Sequence, residues 1–204
     1  GQITTAIKQR GLFLFAGPMG SGKTTTMYRL GRSLISSAVV MTIEDPVEVF
    51  EPTFWQLQVN ELAGMGYAEL LRVGLRHRPD IFIIGEIRDQ ETAMMAVRAA
   101  LSGHLVLATI HARTACGVID RLLQLGIDQH YLTATISGVA YQRLLPTASG
   151  HAAVLFDLLV GQCLNEAMSG NRKVGMSDEW ERHLQLALTC GTISKETAEN
   201  YRAG

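Results

Sequence analysis

A chain of 204 residues with 18 Lys and Arg against 19 Asp and Glu has a formal net charge of −1, so no global positive field exists to hold nucleic acid. Apolar residues make up 47% and charged residues 18% of the chain, which is enough to bury the core of one ordinary domain. Cys116, Cys163 and Cys190 are odd in number, widely spaced and never form a C-x-x-C pair, which excludes a disulfide framework and a zinc ribbon and fits a reducing compartment. Apolar runs such as 152–160, interrupted by Asp157, are too short to span a bilayer, and no signal pattern opens the chain, so a cytoplasmic location is expected.

In chain order, Gly11–Ala16 (G-L-F-L-F-A) reads as a buried strand running into a glycine-rich turn, followed by helical spacing over residues 23–36. Residues 38–43 form a second buried run that ends in Glu44 and Asp45, and 54–59 read as a more exposed strand. Tyr67–His77 is helical and closed by Pro79; 81–84 and Leu105–Ile110 are the third and fourth buried runs. After Arg143 the character changes, with loops at 146–150 and 171–175 and a last strand at 152–160. Two short helices follow, Asp178–Thr189 and 194–202, the second with Ser194 as its N-cap. Short apolar runs alternating with helices predict an α/β fold with a mostly parallel central sheet and small C-terminal helices. In such sheets ligands sit beyond the carboxyl ends of the strands. Those ends carry 17–24, Glu44 and Asp45, Gly85 and Glu86, and His111.

The segment G-P-M-G-S-G-K-T, from Gly17 to Thr24, matches G-x-x-x-x-G-K-[ST] in full, after a strand and at the start of a helix. Its glycines allow successive backbone N–H groups to converge on an anion, and the helix adds the positive end of its dipole. Gly17, Gly20, Ser21, Gly22, Lys23, Thr24 and Thr25 are therefore the candidate contacts to the phosphates of ATP. Lys23 supplies charge to the β/γ oxygens, and the Thr24 hydroxyl is a ligand for Mg²⁺.

D-I-F-I-I-G-E, ending at Glu86, has the form of a Walker B strand, in which a buried run delivers one carboxylate beside the nucleotide. An ordinary strand can also end in an acid; the intact phosphate loop favours the catalytic reading. T-I-E-D-P-V-E places Glu44, Asp45 and Glu48 at another strand end, either as a solvated turn or as acids whose charge implies Mg²⁺. Glu44 and Glu86 are the candidates to hold the ion through water. His111 ends the fourth run, where it can donate to a γ-phosphate; a structural role is the alternative there and for His104.

With G-P-M-G-S-G-K-T-T-T, T-I-E-D-P-V-E, R-P-D-I-F-I-I-G-E-I-R-D and S-G-H-L-V-L-A-T-I-H in this order, the chain resembles the type II/type IV secretion ATPases. That family calls the last three segments the Asp box, Walker B and the His box. Its competence-pilus assembly branch is the most similar, through details such as H-A-R-T-A-C-G-V-I-D-R-L. The resemblance implies a RecA-like P-loop core over 1–160, with 161–204 a helical segment packed on it. It also implies a homohexamer with ATP at subunit interfaces, working on an inner-membrane platform protein from the cytoplasmic side. By motif position Glu86 is the catalytic carboxylate, Glu44 organises Mg²⁺ and water, and His111 lies near the γ-phosphate. Arg72, Arg76 and Arg88 occupy the family's arginine positions; Arg72 and Arg76 share a helix face that either meets phosphates or a neighbour, or is simply solvated.

Met19 and Ser102 stand where the family has threonine, and its tetracysteine zinc module is missing. The amino-terminal domain that contributes arginines in the family lies outside these 204 residues. The alternative functions are a RecA-like nucleic-acid translocase, disfavoured by the near-neutral charge and 6% aromatics, and a scaffold that binds ATP without hydrolysing it. Three scattered cysteines cannot complete a tetrahedral thiolate site, so elemental analysis of the purified protein is expected to find no stoichiometric zinc. Zinc that survives a mild chelator wash would contradict this.

Overall fold

The computed structural model describes residues 2–7, 10–34, 38–147, 149–170 and 174–204. The strands are β1 (Gly11–Ala16), β2 (Val40–Glu44), β3 (Trp55–Gln58), β4 (Ile81–Ile87), β5 (Leu105–Ile110), β6 (Ile136–Pro146) and β7 (Ala152–Leu159). The helices are α1 (Gln2–Ile7), α2 (Lys23–Leu34), α3 (Tyr67–His77), α4 (Gln90–Leu101), α5 (Ala115–Gln124), α6 (Gln129–Thr135), α7 (Gly161–Met168), α8 (Asp178–Thr189) and α9 (Lys195–Asn200). The expected ends at 35–36 and the loop positions 148 and 171–173 lie outside the described residues.

The strands form one seven-stranded sheet in the order β3-β2-β4-β5-β1-β6-β7. All pairings are parallel except β6 with β7, which is antiparallel. Parallel sheets are covered on both faces, which is why β1, β2 and β5 read as unbroken buried runs rather than as alternating ones. Alternation survives in the direction each side chain takes. Leu12 and Leu14 join a core with α3 to α9, whereas Phe13 and Phe15 join the opposite core with α1 and α2. β3, at the sheet's edge, is the exposed strand, with Trp55 and Gln58 in solvent.

Side-chain caps set several helix starts. Asp89 accepts from Thr92 N–H at 2.8 Å, Thr114 from Gly117 N–H at 3.0 Å and Ser194 from Thr197 N–H at 3.0 Å. Arg78, in the left-handed region at φ 49°, ends α3 ahead of Pro79. The C-terminal helices share the main core. Trp180 of α8 is fully buried edge-on to Tyr141, and its indole N–H donates to Tyr201 O at 2.9 Å. Buried Asp157 on β7 accepts Ser177 N–H at 3.2 Å, which ties the start of α8 to the sheet.

β6 departs most from the sequence reading, which places no strand between residues 110 and 152. Ser137, Gly138 and Gln142 interrupt its apolar run, yet its first half, 136–141, pairs with β1. Gly138 is there because space demands it: a Cβ would lie 2.5 Å from Phe13 Cε2 and 2.9 Å from Val160 Cγ1. Gly138→Ala is therefore expected to destabilise the fold by about 1–3 kcal/mol through overpacking. Urea unfolding should show a lower midpoint with an unchanged m-value; an unchanged midpoint would mean that Phe13 has room to move.

Candidate functional site

β1 delivers the chain into the phosphate loop at the middle of the sheet, between β5 and β6. Gly17 turns at φ 140°, and a Cβ there would fall 2.2 Å from the Gln142 carbonyl oxygen, so a glycine is required on both counts. The loop closes into α2 at Lys23, which puts the helix dipole and the loop N–H groups at one point. Lys23 Nζ donates to Gly17 O at 3.0 Å and to Pro18 O at 2.8 Å. Burial lowers its pKa, and the charge of Glu86 acts in the opposite sense. Lys23 and Glu86, 63 positions apart in sequence, thus share one electrostatic environment.

Thr24, Glu44, Asp45, Glu48, Glu86 and Arg88 line a cleft beside the loop. Glu44, at the end of β2, is 5% exposed and takes its hydrogen bonds on Oε1. The donors are the Tyr28 hydroxyl at 2.5 Å, the Thr42 hydroxyl at 2.5 Å and the Gln56 amide at 3.5 Å. These bonds leave Oε2 out. Burial, then the bond to Glu44, pushes the Tyr28 phenol well above its usual pKa. The phenol therefore stays a donor throughout the neutral range.

β4 continues through Gly85 and Glu86 to Ile87, past the expected end at residue 84. Gly85 is held by a 2.5 Å bond from the Thr109 hydroxyl to its carbonyl, and a Cβ there would lie 2.9 Å from the Tyr67 hydroxyl. The side chain of Glu86 is 14% exposed, and its two oxygens face different partners. His111 Nε2 stands 2.8 Å from Oε1, and Arg88 Nε donates to Oε2 at 2.5 Å. Arg88 also reaches within 3.9 Å of Asp45, and Glu86 raises its pKa. Tyr67 closes the cleft from α3, its phenol pushed up to about 12 by burial.

Glu44, Glu86, His111, Lys23, Thr24 and Arg88 therefore converge at the loop, while Arg72, Arg76 and His104 sit elsewhere. Arg72 pairs with Glu69 and, at 3.2 Å, with Glu91 of α4. Arg76 lies in the last turn of α3, about 13 Å along the axis from Tyr67. His104 precedes β5 at the other edge of the sheet, bonded through Nδ1 to Ala99 O at 3.0 Å, with its ring 5.3 Å from that of Phe82 and tilted 58° to it. Tyr28, Thr109, Tyr67 and Gln142 escape sequence reasoning. Of these only Tyr28 carries a signal: it lies four residues after Thr24, on the same face of a helix.

Among the described residues no group of three His, Cys, Asp or Glu side chains is arranged to hold a metal ion. Mg²⁺ needs no such cage, because it takes one or two carboxylates or a hydroxyl and completes its shell with water and phosphate. The all-oxygen donors Thr24, Glu44 and Glu86 fit that chemistry. Cys116, Cys163 and Cys190 form no disulfide.

A family model described as Type II/IV secretion system protein matches residues 2–196. The competence protein ComGA of Streptococcus pneumoniae is 54% identical over 138 residues, covering 68% of this chain and 44% of the relative. ComGA of Halalkalibacterium halodurans is 37% identical over 217 aligned positions, covering 97% and 62%. Among solved structures, the ATPase DotB of Legionella pneumophila matches with a TM-score of 0.81 at 27% identity, covering 100% of this chain and 63% of its own. The pilus retraction motor PilT with bound ADP matches with the same TM-score and identity, covering 100% and 64%. The chain spans less than two thirds of the length of each of these relatives.

The bond from Tyr28 to Glu44 is buried and charge-assisted. Tyr28→Phe is expected to cost about 1.5–3 kcal/mol of stability at neutral pH by urea unfolding. A loss below about 0.5 kcal/mol would mean that water or Gln56 replaces the phenol without penalty.

Proposed function

The chain belongs to the type II/IV secretion system protein family, and we propose that it binds ATP with Mg²⁺ and hydrolyses it to drive pilus or pseudopilus assembly or type II secretion. DNA-uptake competence is the process we favour, because relatives 37–54% identical are named competence proteins. The observation that carries the reading is Glu86, delivered by β4 to the phosphate loop with His111 on one oxygen and Arg88 on the other.

In this reading the loop from Gly17 to Thr25 holds the phosphates through its backbone N–H groups, and Lys23 turns from the Gly17 and Pro18 carbonyls toward the β/γ oxygens. The Thr24 hydroxyl and, through water, Glu44 and Glu86 would hold Mg²⁺, which would neutralise phosphate charge. Glu86 polarises the attacking water as general base. His111, 2.8 Å from Glu86, is placed to exchange that partner for the γ-phosphate. Arg88 is a cation within the site, whereas Arg72 and Arg76 suit contact with a neighbouring subunit.

The assembly we propose is a homohexamer acting on an inner-membrane platform protein from the cytoplasmic side. Among the described residues no helix is long and apolar enough to cross a membrane. The net charge of −1 argues against direct nucleic-acid binding, and so against a nucleic-acid translocase.

In the full-length protein, Lys23→Ala is expected to abolish nucleotide binding or weaken it severely. Glu86→Gln is expected to keep ATP affinity within about threefold and to lower turnover by roughly 10²–10⁴. Equilibrium binding with phosphate-release kinetics measures both. Parental turnover in Glu86→Gln would remove Glu86 from catalysis, and a parent that binds ATP without hydrolysing it would favour the scaffold.

A further inference from the structure

Gln142, on β6, has no exposed surface, yet it is polar and sits directly beneath the phosphate loop. Its Nε2 donates to the Ser21 carbonyl at 2.6 Å, across 121 positions of sequence. Its own carbonyl oxygen is the atom that a Cβ on Gly17 would strike, and its Nε2 would lie 3.1 Å from a Cβ on Gly22. One residue of β6 therefore meets the loop both at its first residue, Gly17, and at Ser21 and Gly22.

The arrangement carries a cost. Gln142 Oε1 and Ser21 Oγ are buried without a hydrogen-bond partner among the described residues. An apolar side chain of the same length would avoid the loss at Oε1. The compensation lies in what the other end of the amide fixes. A trans peptide is planar, with its C=O and N–H on opposite sides. Drawing the Ser21 carbonyl toward β6 turns the N–H of the same peptide, that of Gly22, away from β6. Gly22, at φ 83°, imposes little steric resistance of its own to a flipped peptide.

We infer that Gln142 is a positioning residue, holding the Ser21–Gly22 peptide with its N–H toward the phosphates before nucleotide arrives. This rests on reading the loop as the ATP site. It adds to that reading a residue 118 positions beyond the motif's last member, acting through the backbone and touching no reacting atom. Such preorganisation contributes to phosphate affinity and leaves the chemistry at Glu86 untouched.

The test is steady-state ATP hydrolysis and MgADP binding by the full-length protein carrying Gln142→Met, Gln142→Glu or Gln142→Asn. Met keeps the length and loses the donor, Glu puts a carboxylate oxygen against the Ser21 carbonyl, and Asn keeps the amide but falls short of it. We expect KM for ATP and Kd for MgADP to rise about five- to twentyfold in Met and Asn and further in Glu. The kcat should stay within about threefold of the parent in Met and Asn. A purely structural role predicts another pattern, with a lower Tm and a smaller active fraction that reduce kcat while KM and Kd stay unchanged; that pattern would overturn the inference. So would KM and Kd within about twofold of the parent in every variant that folds. If Met fails to fold, Asn and Glu decide. A parent that binds no MgADP would bring down the ATP reading and this inference together, whereas a binding parent with indifferent variants would bring down this inference alone.

Discussion

Parallel strands cannot be joined by a hairpin, so each must be carried back by a crossover before the next begins. In this chain that constraint puts the carboxyl ends of β1, β2, β4 and β5 along one edge of the sheet. The phosphate loop, Glu44, Glu86 and His111 are the residues at or just beyond those ends. Their meeting is thus a result of strand direction. It requires no long-range recognition between the segments themselves, only that each strand take its place beside the next.

Convergence brings an electrostatic problem with it. Glu44, Asp45, Glu48 and Glu86 crowd a cleft that Arg88 lines, with the charge of Lys23 acting on Glu86 from the loop beside it. The two most confined carboxylates are treated differently. Glu44 is stabilised by neutral donors, Tyr28, Thr42 and Gln56, which leave its charge uncompensated. Glu86 is held by Arg88 and His111, which can compensate it. A carboxylate with only neutral donors suits a cation arriving with the substrate. A carboxylate held by groups that can themselves turn to phosphate suits a base released when substrate arrives.

The parts of the site legible in sequence are those whose role is local. Lys23 and Thr24 follow glycines at fixed spacing, and Glu86 closes an apolar run. The parallel sheet was legible because burial on both faces leaves continuous apolar stretches in β1, β2 and β5. β6 was not, since Ser137, Gly138 and Gln142 break its apolar run, the last two suited to what faces them: Phe13 at Gly138 and the phosphate loop at Gln142. Tyr67 and Thr109 escaped for the same reason. Their hydroxyls matter only because Gly85 comes between them, and that proximity appears once β4 and β5 have paired.

The position of β1 has a mechanical consequence. The strand bearing the phosphate loop is interior, hydrogen-bonded along both sides, with hydrophobic cores against both faces. A loop rooted in an edge strand would answer the pull of a charged ligand by bending its own base. Here the base is paired to a strand on each side, so a force applied at the loop is shared by β5 and β6.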